Sequence, residues 1–419
     1  MTAPDTTAHP PVIPSPRPSG MSGPLTIGRV RVFDGVRVLP ERDVVLQDGM
    51  VAQVTGPGPG PADVDGRGRT LLPGLFDAHV HLDPEPRSAL RDLVTMGVTT
   101  ALDMFTGGDT LARVRELRRA DPPDLADARA AGTGATVPGN MLEKLIRQPL
   151  ATVDGPDAAE AWVDARLRDG ADYIKIVYDR REGGPMDEAT LAALVHAAHA
   201  RGVLAVAHTL AEGPAREAIA AGVDGLAHLF VGERAGDDFG AYAARHGVFV
   251  VPTLTVLRGL CGYRPYEESA ADPRLAGRIG RDRPPVPVRP ADPSRHHLYA
   301  AATETVRQLA AAGVPLLAGT DTGLPTAALG VIGYGATLHG ELELLVRAGL
   351  TPTQALAAAT SAPAAAFRLA DRGLIRPGMR ADLTLVGGDP TTDIRDTRNV
   401  VGVWKRGVRV DLVERLDSL

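Results

Sequence analysis

Two histidines end an apolar segment near the start of the chain. Residues 71–81 read LLPGLFDAHVH, so His79 and His81 are two positions apart. Side chains two residues apart on a β-strand leave the same face. A pair of imidazoles on one face offers two nitrogen ligands to a divalent ion such as Zn²⁺. We interpret the pair as half of a metal site.

A lysine inside an apolar strand is the second chemical signal. Only three of the 45 basic residues are lysines, so arginine occupies almost every other basic position. Lys175 lies in the segment 173–177, YIKIV, which has the composition of a buried strand. Unlike arginine, a buried lysine can lose its proton and react as an amine. The alternative is a structural lysine paired with a carboxylate.

Three further candidates follow apolar segments. His208 follows the segment 203–207, His228 follows 225–227, and Asp321 comes shortly after 314–318. Each of them could also be a buried structural residue. By contrast, His196 and His199 are three residues apart in a helical segment, and we interpret them as part of a solvated helix face.

Strand-like and helix-like segments alternate through the centre of the chain. This alternation predicts an α/β fold of the (β/α)8 TIM-barrel type. Barrel enzymes place their chemistry at the carboxyl ends of the strands, so the candidates above are expected at one mouth. The predicted strands are 71–78, 98–103, 128–132, 173–177, 203–207, 225–227, 248–251 and 314–318.

Short alternating segments at both chain ends predict a second, smaller unit. The segments 27–33, 43–46 and 50–54 and the segments 381–386, 400–404 and 408–410 have the pattern of strands separated by turns. We expect them to form one β-sandwich domain from residues 25–70 and 371–419, with the barrel at 71–370. Residues 1–24 are rich in proline, serine and threonine, which predicts a disordered tail.

Composition limits the partners. The formal net charge of −6 is spread along the chain and no basic stripe occurs, so we expect no nucleic-acid partner. No apolar run reaches membrane-spanning length, so we expect no membrane partner. The single cysteine, Cys261, and the absence of a signal-peptide pattern favour the cytoplasm. A homo-oligomer stays open.

Taken together, these segments resemble the amidohydrolase superfamily, in the binuclear subgroup with a carboxylated lysine and near its prolidase and imidazolonepropionase-like branch. The resemblance covers most of the chain, although known imidazolonepropionases lack the lysine. It rests on His208, His228 and the segments 73–81 (PGLFDAHVH), 171–176 (ADYIKI), 319–321 (GTD), 338–345 (LHGELELL) and 378–383 (GMRADL).

The resemblance implies a ligand set and a reaction. Two divalent ions, Zn²⁺ above all, are expected, with CO2 or bicarbonate converting the lysine to N6-carboxylysine. Asp321 is expected to be the catalytic general base and acid for a metal-bridging hydroxide, which attacks an amide, peptide-like or cyclic amide bond of a small molecule or dipeptide. The implied metal ligands are His79, His81, Lys175, His208, His228 and Asp321.

The substrate is less well defined by the sequence. Relatives that cleave Xaa-Pro bonds often have His-x-Tyr after strand five, where this chain has His208-Thr209-Leu210. Tyr178 and His339 are candidates for substrate contact, with a packing role as the alternative for each. The long connections 133–156 and 258–294 are expected to act as lids or specificity elements.

Two other function classes stay open. The same hydroxide could attack a lactone or a phosphotriester, because the ligands do not distinguish carbonyl from phosphorus centres. A non-catalytic barrel that serves as a binding scaffold is the third possibility, and the presence of all six ligands argues against it.

Overall fold

A computed structural model describes residues 23–138, 150–178, 186–279, 290–323 and 333–412. The predicted disordered tail lies almost entirely outside these residues. So do parts of both long connections, at 139–149 and 280–289.

The two ends of the chain form one continuous eight-stranded sheet. Its hydrogen-bonded order is β15-β14-β13-β5-β1-β2-β3, with β4 paired to β1. Both ends of the chain contribute strands to it, and these strands hydrogen-bond as a single sheet with its own apolar core rather than as two separate sheets; the domain bounds stay a prediction. The strands are β1 (Leu25–Phe33), β2 (Val38–Gln47), β3 (Met50–Thr55), β4 (Val64–Asp65), β5 (Arg69–Pro73), β13 (Leu383–Gly387), β14 (Val400–Lys405) and β15 (Val408–Arg409).

A two-residue turn favours the hairpin of β2 and β3 in this sheet. Asp48 and Gly49 connect β2 to β3 and both have positive φ, 52° and 79°. Such a two-residue turn matches the natural twist of a hairpin, and Asp-Gly is a preferred pair for it. The link between the chain ends is the antiparallel pairing of β5 with β13, in which Leu71 faces Leu385.

The central strands are parallel and form two sheets. One has the order β6-β7-β8 and the other β12-β11-β10-β9. Most of their residues are buried, as is usual for parallel strands covered by helices. The strands are β6 (Leu75–Val80), β7 (Val98–Asp103), β8 (Asp127–Ala130), β9 (Ile174–Val177), β10 (Ala205–His208), β11 (Gly225–Ala227) and β12 (Phe249–Val251).

Isolated bridges connect these two sheets. Ala135 bridges to Ile176 of β9, Val250 of β12 bridges to Leu316, and Val80 of β6 bridges to Thr322. The predicted eighth strand, 314–318, is therefore a bridged segment and not a regular strand. Pro315 has no N–H to donate, and the N–H of Ala318 donates to the carbonyl of Ala358 instead of to a neighbouring strand.

Helices connect the parallel strands and cover them. In the first helix the buried residues recur at Pro86, Ala89, Leu90, Leu93 and Val94, the spacing of one helix face. The helices are α1 (Pro86–Thr95), α2 (Gly108–Ala120), α3 (Ala159–Asp169), α4 (Glu188–Ala200), α5 (Glu212–Ala220), α6 (Phe239–His246), α7 (Leu254–Leu260), α8 (Pro265–Ala270), α9 (Pro273–Ala276), α10 (Ala300–Ala311), α11 (Ala336–Arg347), α12 (Pro352–Ala358) and α13 (Ser361–Ala366).

The connection 258–294 is more ordered than the sequence analysis expected. It contains α8 and α9, each of which begins with a proline at its first position. The Asp272 side chain also accepts a hydrogen bond from the backbone N–H of Arg274. On α4, His196 and His199 are exposed as predicted. Within the described ranges, no helix is both long and apolar enough to cross a membrane.

Candidate metal centre

The candidate ligands lie at the carboxyl ends of the parallel strands. His79 is in β6 and His81 follows it, Lys175 is in β9, His208 ends β10, and His228 follows β11. The register aligns neighbouring strand ends, since His208 is the partner of Val177 on one side and of Ala227 on the other. The shared direction of the strands therefore brings distant parts of the sequence to one place.

Five of the side chains form one connected cluster. The Asp321 Oδ1 atom lies 3.1 Å from His79 Nε2 and 2.8 Å from His81 Nε2. The ring centroids of His79 and His228 are 4.7 Å apart, and those of His208 and His228 are 4.6 Å apart. Possible ligand atoms of His79, His228 and Asp321 all lie within 4.8 Å of one another. These three residues form a possible metal site.

The backbone is unusual at two of these ligands. His228 has a φ of 74° and Asp321 a φ of 60°. Non-glycine residues adopt this left-handed region at a cost of about 1–3 kcal/mol, and such residues cluster at functional sites. The strand ends therefore carry local strain where the candidate ligands are positioned.

Hydrogen bonds around His81 favour a cation in the cluster. Its Nδ1 atom lies 3.3 Å from the carbonyl oxygen of Phe105, which can only accept a hydrogen bond. Nδ1 must then carry the proton, so in a neutral ring the lone pair of Nε2 points at the Asp321 carboxylate. That contact is favourable only when a proton or a metal ion lies between the two atoms. Without an ion, interaction with Asp321 raises the pKa of His81 against the effect of burial.

Lys175 has the features of a reactive amine. Its side chain is buried, and its Nζ atom has no hydrogen-bond partner among the described residues. Burial lowers the pKa of Lys175 to about 7, against the influence of Asp321. A neutral, buried amine can add CO2 to form a carbamate. The arrangement fits a lysine that becomes an anionic ligand better than one paired with a carboxylate.

Three other candidate ligands, His79, His228 and Asp321, are in the protonation states that metal binding needs. Burial lowers the pKa of His79 to about 3, and burial also holds the pKa of His228 well below its usual range. Both rings are therefore neutral at pH 7. Burial opposes ionisation of Asp321, but its histidine neighbours outweigh burial and hold the pKa of this carboxyl well below its usual range. The buried Nδ1 of His79 also has no partner among the described residues, so the residues fit a bound cation.

Asp77 supports the site, and the sequence analysis missed it. Its carboxylate accepts hydrogen bonds from the N–H of His79 at 3.2 Å, from the N–H of Thr320 at 3.0 Å and from the Thr320 hydroxyl at 2.7 Å. Burial raises the pKa of Asp77 to about 7. It thereby joins the strand that carries His79 to the segment that carries Asp321. Its position two residues before His79, on the same strand face, was the available signal.

The two residues proposed for substrate contact have other partners. The Tyr178 hydroxyl donates a 2.7 Å hydrogen bond to Glu217 on α5, and the side chain is fully buried. His339 is also fully buried, with Nε2 3.1 Å from the carbonyl oxygen of Met96. Both geometries agree with the packing alternative. A substrate contact for either residue stays a prediction.

Comparisons with known proteins place the chain in a family. The amidohydrolase family model matches residues 70–410. An uncharacterised protein of Mycobacterium tuberculosis is 30% identical over 342 residues, which are 77% of this chain and 80% of the relative. An imidazolonepropionase of Cereibacter sphaeroides is 25% identical over 393 residues, 86% of this chain and 93% of the relative.

Solved structures show the same fold. A Xaa-Pro dipeptidase with methionine bound in its active site superposes with a TM-score of 0.74 and 23% identity, over 93% of this chain and all of that chain. Molinate hydrolase superposes with a TM-score of 0.72 and 20% identity, over 95% and 99% of the two chains. The family generally uses divalent metal ions and has a TIM barrel with an additional domain. The chain belongs to the amidohydrolase family and is a hydrolase of carbon–nitrogen bonds.

Proposed function

We propose that the chain is a binuclear metal-dependent amidohydrolase. Its substrate class is an amide, peptide-like or cyclic amide bond in a small molecule or dipeptide. The observation that carries the proposal is the buried Lys175 Nζ atom, which has no described partner, beside a possible metal site of two histidines and Asp321. A buried amine with a lowered pKa and two neutral imidazoles, those of His79 and His228, at the ends of buried strands are difficult to explain as packing alone.

The residues divide into two ligand groups. His79, His81 and Asp321 would hold one ion, His208 and His228 would hold the other, and Lys175 as N6-carboxylysine would link them. Zn²⁺ is the ion that suits this set of imidazole and carboxylate ligands. The bound ions would supply an activated water at neutral pH and polarise the substrate carbonyl.

Asp321 performs the proton transfer in this proposal. Its low pKa keeps the carboxylate ionised at neutral pH, so it can accept the proton of the attacking water. The same carboxyl then gives the proton to the leaving nitrogen, which departs as a neutral amine. The neutral rings of His79 and His228 would give their lone pairs to the metal ions, which leaves Asp321 as the base of the cluster.

The proposal includes the wider architecture. The bridges Ala135–Ile176, Val250–Leu316 and Val80–Thr322 support a closed eight-stranded barrel. The domain plan, with the end segments 25–70 and 371–419 beside a barrel at 71–370, belongs to the same proposal. A cytoplasmic location, a small-molecule partner and a homo-oligomer are its remaining parts.

The first test is metal content with a matched lysine control. Lys175→Ala is expected to lower bound Zn²⁺ below two ions per chain, and to weaken metal binding by at least about 100-fold, since loss of even an outer partner of a ligand has effects of about that size. Lys405→Ala removes the other buried lysine described, which pairs with Asp121 away from the site. That control is expected to retain both ions after loading with Zn²⁺ and bicarbonate.

The second test separates the reaction classes. The metal-loaded enzyme is assayed on dipeptides including Xaa-Pro, on N-acyl amino acids and cyclic amides, on lactones and on phosphotriesters. We expect hydrolysis in the amide classes and a loss of it in Lys175→Ala. Turnover confined to lactones or phosphotriesters would replace the proposed substrate class. A wild-type protein that takes up no Zn²⁺ would favour the scaffold alternative.

A further inference from the structure

Thr253 adopts a backbone conformation that is unfavourable for its residue type. It lies between β12 and α7, is fully buried, and has φ 51° and ψ 46°. A β-branched residue in this left-handed region is an outlier, because its side chain crowds the backbone. Strain of this kind persists only when surrounding contacts impose it, and it concentrates at functional positions.

The strained conformation places the Thr253 hydroxyl against a candidate metal ligand. Its Oγ1 atom lies 2.8 Å from His228 Nδ1. A threonine before a helix commonly caps the helix with its hydroxyl, but Thr253 makes no such cap at α7. With Nδ1–H donating to Thr253, the lone pair of His228 is on Nε2. That nitrogen is then available to a metal ion.

Glu341 supplies the cap that Thr253 does not. This fully buried residue of α11 accepts hydrogen bonds from the N–H groups of Leu254 and Thr255, at 2.8 and 2.7 Å, and from the Thr255 hydroxyl at 2.7 Å. Leu254 and Thr255 are the first two residues of α7. A carboxylate from another helix thus satisfies the start of α7 and fixes the residue that precedes it.

We infer that Thr253 and Glu341 are positioning residues for the metal ligand His228. Glu341 holds the first turn of α7, and that turn holds Thr253 in its strained conformation. The Thr253 hydroxyl then occupies Nδ1 of His228 and orients the ring so that Nε2 is available to a metal ion. Neither residue touches the substrate or a metal ion in this arrangement. The inference rests on the proposed function, because it requires that His228 binds a metal.

The test uses the full chain and measures metal binding rather than turnover alone. Zn²⁺ affinity is determined by competition with a chromophoric chelator, and the environment of the site is followed by the absorption spectrum of the Co²⁺-loaded protein. Thr253→Val keeps the side-chain shape and removes the hydroxyl. We expect it to weaken binding of one of the two ions by about 10- to 100-fold and to change the Co²⁺ spectrum. Thr253→Ser is expected to restore both.

Two further variants separate positioning from stability. Thr351→Val removes a threonine hydroxyl that caps α12 away from the site. It is expected to lower the unfolding temperature without altering Zn²⁺ affinity or the Co²⁺ spectrum. Glu341→Gln is expected to weaken the same ion as Thr253→Val. In the double variant the combined loss should be smaller than the product of the single losses, since both act through His228.

The outcomes distinguish this inference from the proposed function. Wild-type protein that binds two ions, with a folded Thr253→Val variant that binds both equally well, overturns the inference and leaves the function standing. Equal weakening by Thr253→Val and Thr253→Ser also overturns it. Failure of the wild-type protein to bind Zn²⁺ overturns both.

Discussion

At the scale of single residues, the candidate site depends on polar groups that satisfy one another in a buried place. Asp77 shows this most clearly, because its two oxygens accept three hydrogen bonds from His79 and Thr320. A buried N–H that loses its acceptor cannot turn to water and costs about 1–3 kcal/mol. The position of Asp321, the next residue after Thr320, therefore depends on a carboxylate that is not itself a proposed ligand.

Replacement of Asp77 tests this dependence. Asp77→Ala removes the carboxylate that accepts from the His79 N–H, while the Thr320 N–H keeps only its 3.3 Å bond to the His79 carbonyl, and we expect the free energy of unfolding of the metal-free protein to fall by about 1–3 kcal/mol. The measurement is urea denaturation followed by circular dichroism. Thr320→Ser keeps the hydroxyl bonded to Asp77 and is expected to lose less. A loss below about 1 kcal/mol in Asp77→Ala would contradict the proposed clamp.

At the scale of elements, the junction between the end sheet and the parallel strands is very closely packed. Gly74 lies between β5 and β6, and its N–H donates to the carbonyl of Asp382. A Cβ atom at this position would lie 2.1 Å from the Oγ1 atom and 2.6 Å from the Cγ2 atom of buried Thr99. Only a residue without a side chain allows β6 to leave the end sheet in this direction.

Gly74→Ala tests the packing of the junction. We expect a loss of about 1–3 kcal/mol in unfolding free energy, the range for overpacking a close contact. Removing the obstructing atoms with Thr99→Ala should reduce the cost of the alanine, so the double variant is predicted to lose less than the sum of the single changes. The unfolding free energies of the single and double variants are measured by urea denaturation.

A control for this experiment is available on α5. Gly213 lies inside this helix, and a Cβ atom at its position would have no atom of another segment within 4 Å. Gly213→Ala should change the stability by less than about 1 kcal/mol, because the gain in helix propensity is offset by crowding between the new Cβ and the following Pro214. A Gly74→Ala variant as stable as the wild type would show that the junction relaxes easily.

At the scale of the whole molecule, buried ion pairs join the segment after the last helix to the parallel strands. The Arg372 guanidinium bonds the Asp127 carboxylate of β8 at 2.7 Å, and both side chains are 4% exposed. Although burial opposes it, the charge of Arg372 lowers the pKa of Asp127. Arg372 also pairs with the partly exposed Asp371 at 2.8 Å, so removal of Asp127 leaves the buried guanidinium only partly compensated. We expect a cost at the lower end of the about 3–5 kcal/mol that follows when a buried pair is broken.

The ion pair predicts a pH dependence of stability. Because the folded-state pKa of Asp127 is below its unfolded value, its contribution is present above pH of about 4 and is lost as pH falls through the folded-state pKa. Asp127→Asn is expected to lower stability at pH 7 by about 3 kcal/mol and to weaken the decline toward acid. Denaturation at a series of pH values measures both.

The exposed pair Arg67–Asp65 provides the comparison for this experiment. Both side chains are largely exposed, so Asp65→Asn is expected to change the unfolding free energy little, as is usual for surface ion pairs. An Asp127→Asn variant that behaves like Asp65→Asn at every pH would show that the buried pair does not stabilise the junction.

The candidate ligands and the alternation of strands and helices could be predicted from local sequence patterns. His79 and His81 share a strand face because strand periodicity is two, and Lys175, His208 and His228 lie near the carboxyl ends of buried parallel strands. Those are local properties of short segments. The alternating strands and helices and the β segments at both chain ends were predictable for the same reason.

The residues that hold the candidate ligands in place could be identified only from the tertiary structure. Thr253 and His228 are 25 positions apart. Glu341 is 87 positions from Leu254 and 86 positions from Thr255, whose N–H groups donate to it. No periodicity links residues at such separations, because their contacts follow from how α7 and α11 pack. The same reason explains the predicted eighth strand. Residues 314–318 have an apolar strand pattern, but the N–H of Ala318 donates to the carbonyl of Ala358, which is near it only in the folded chain.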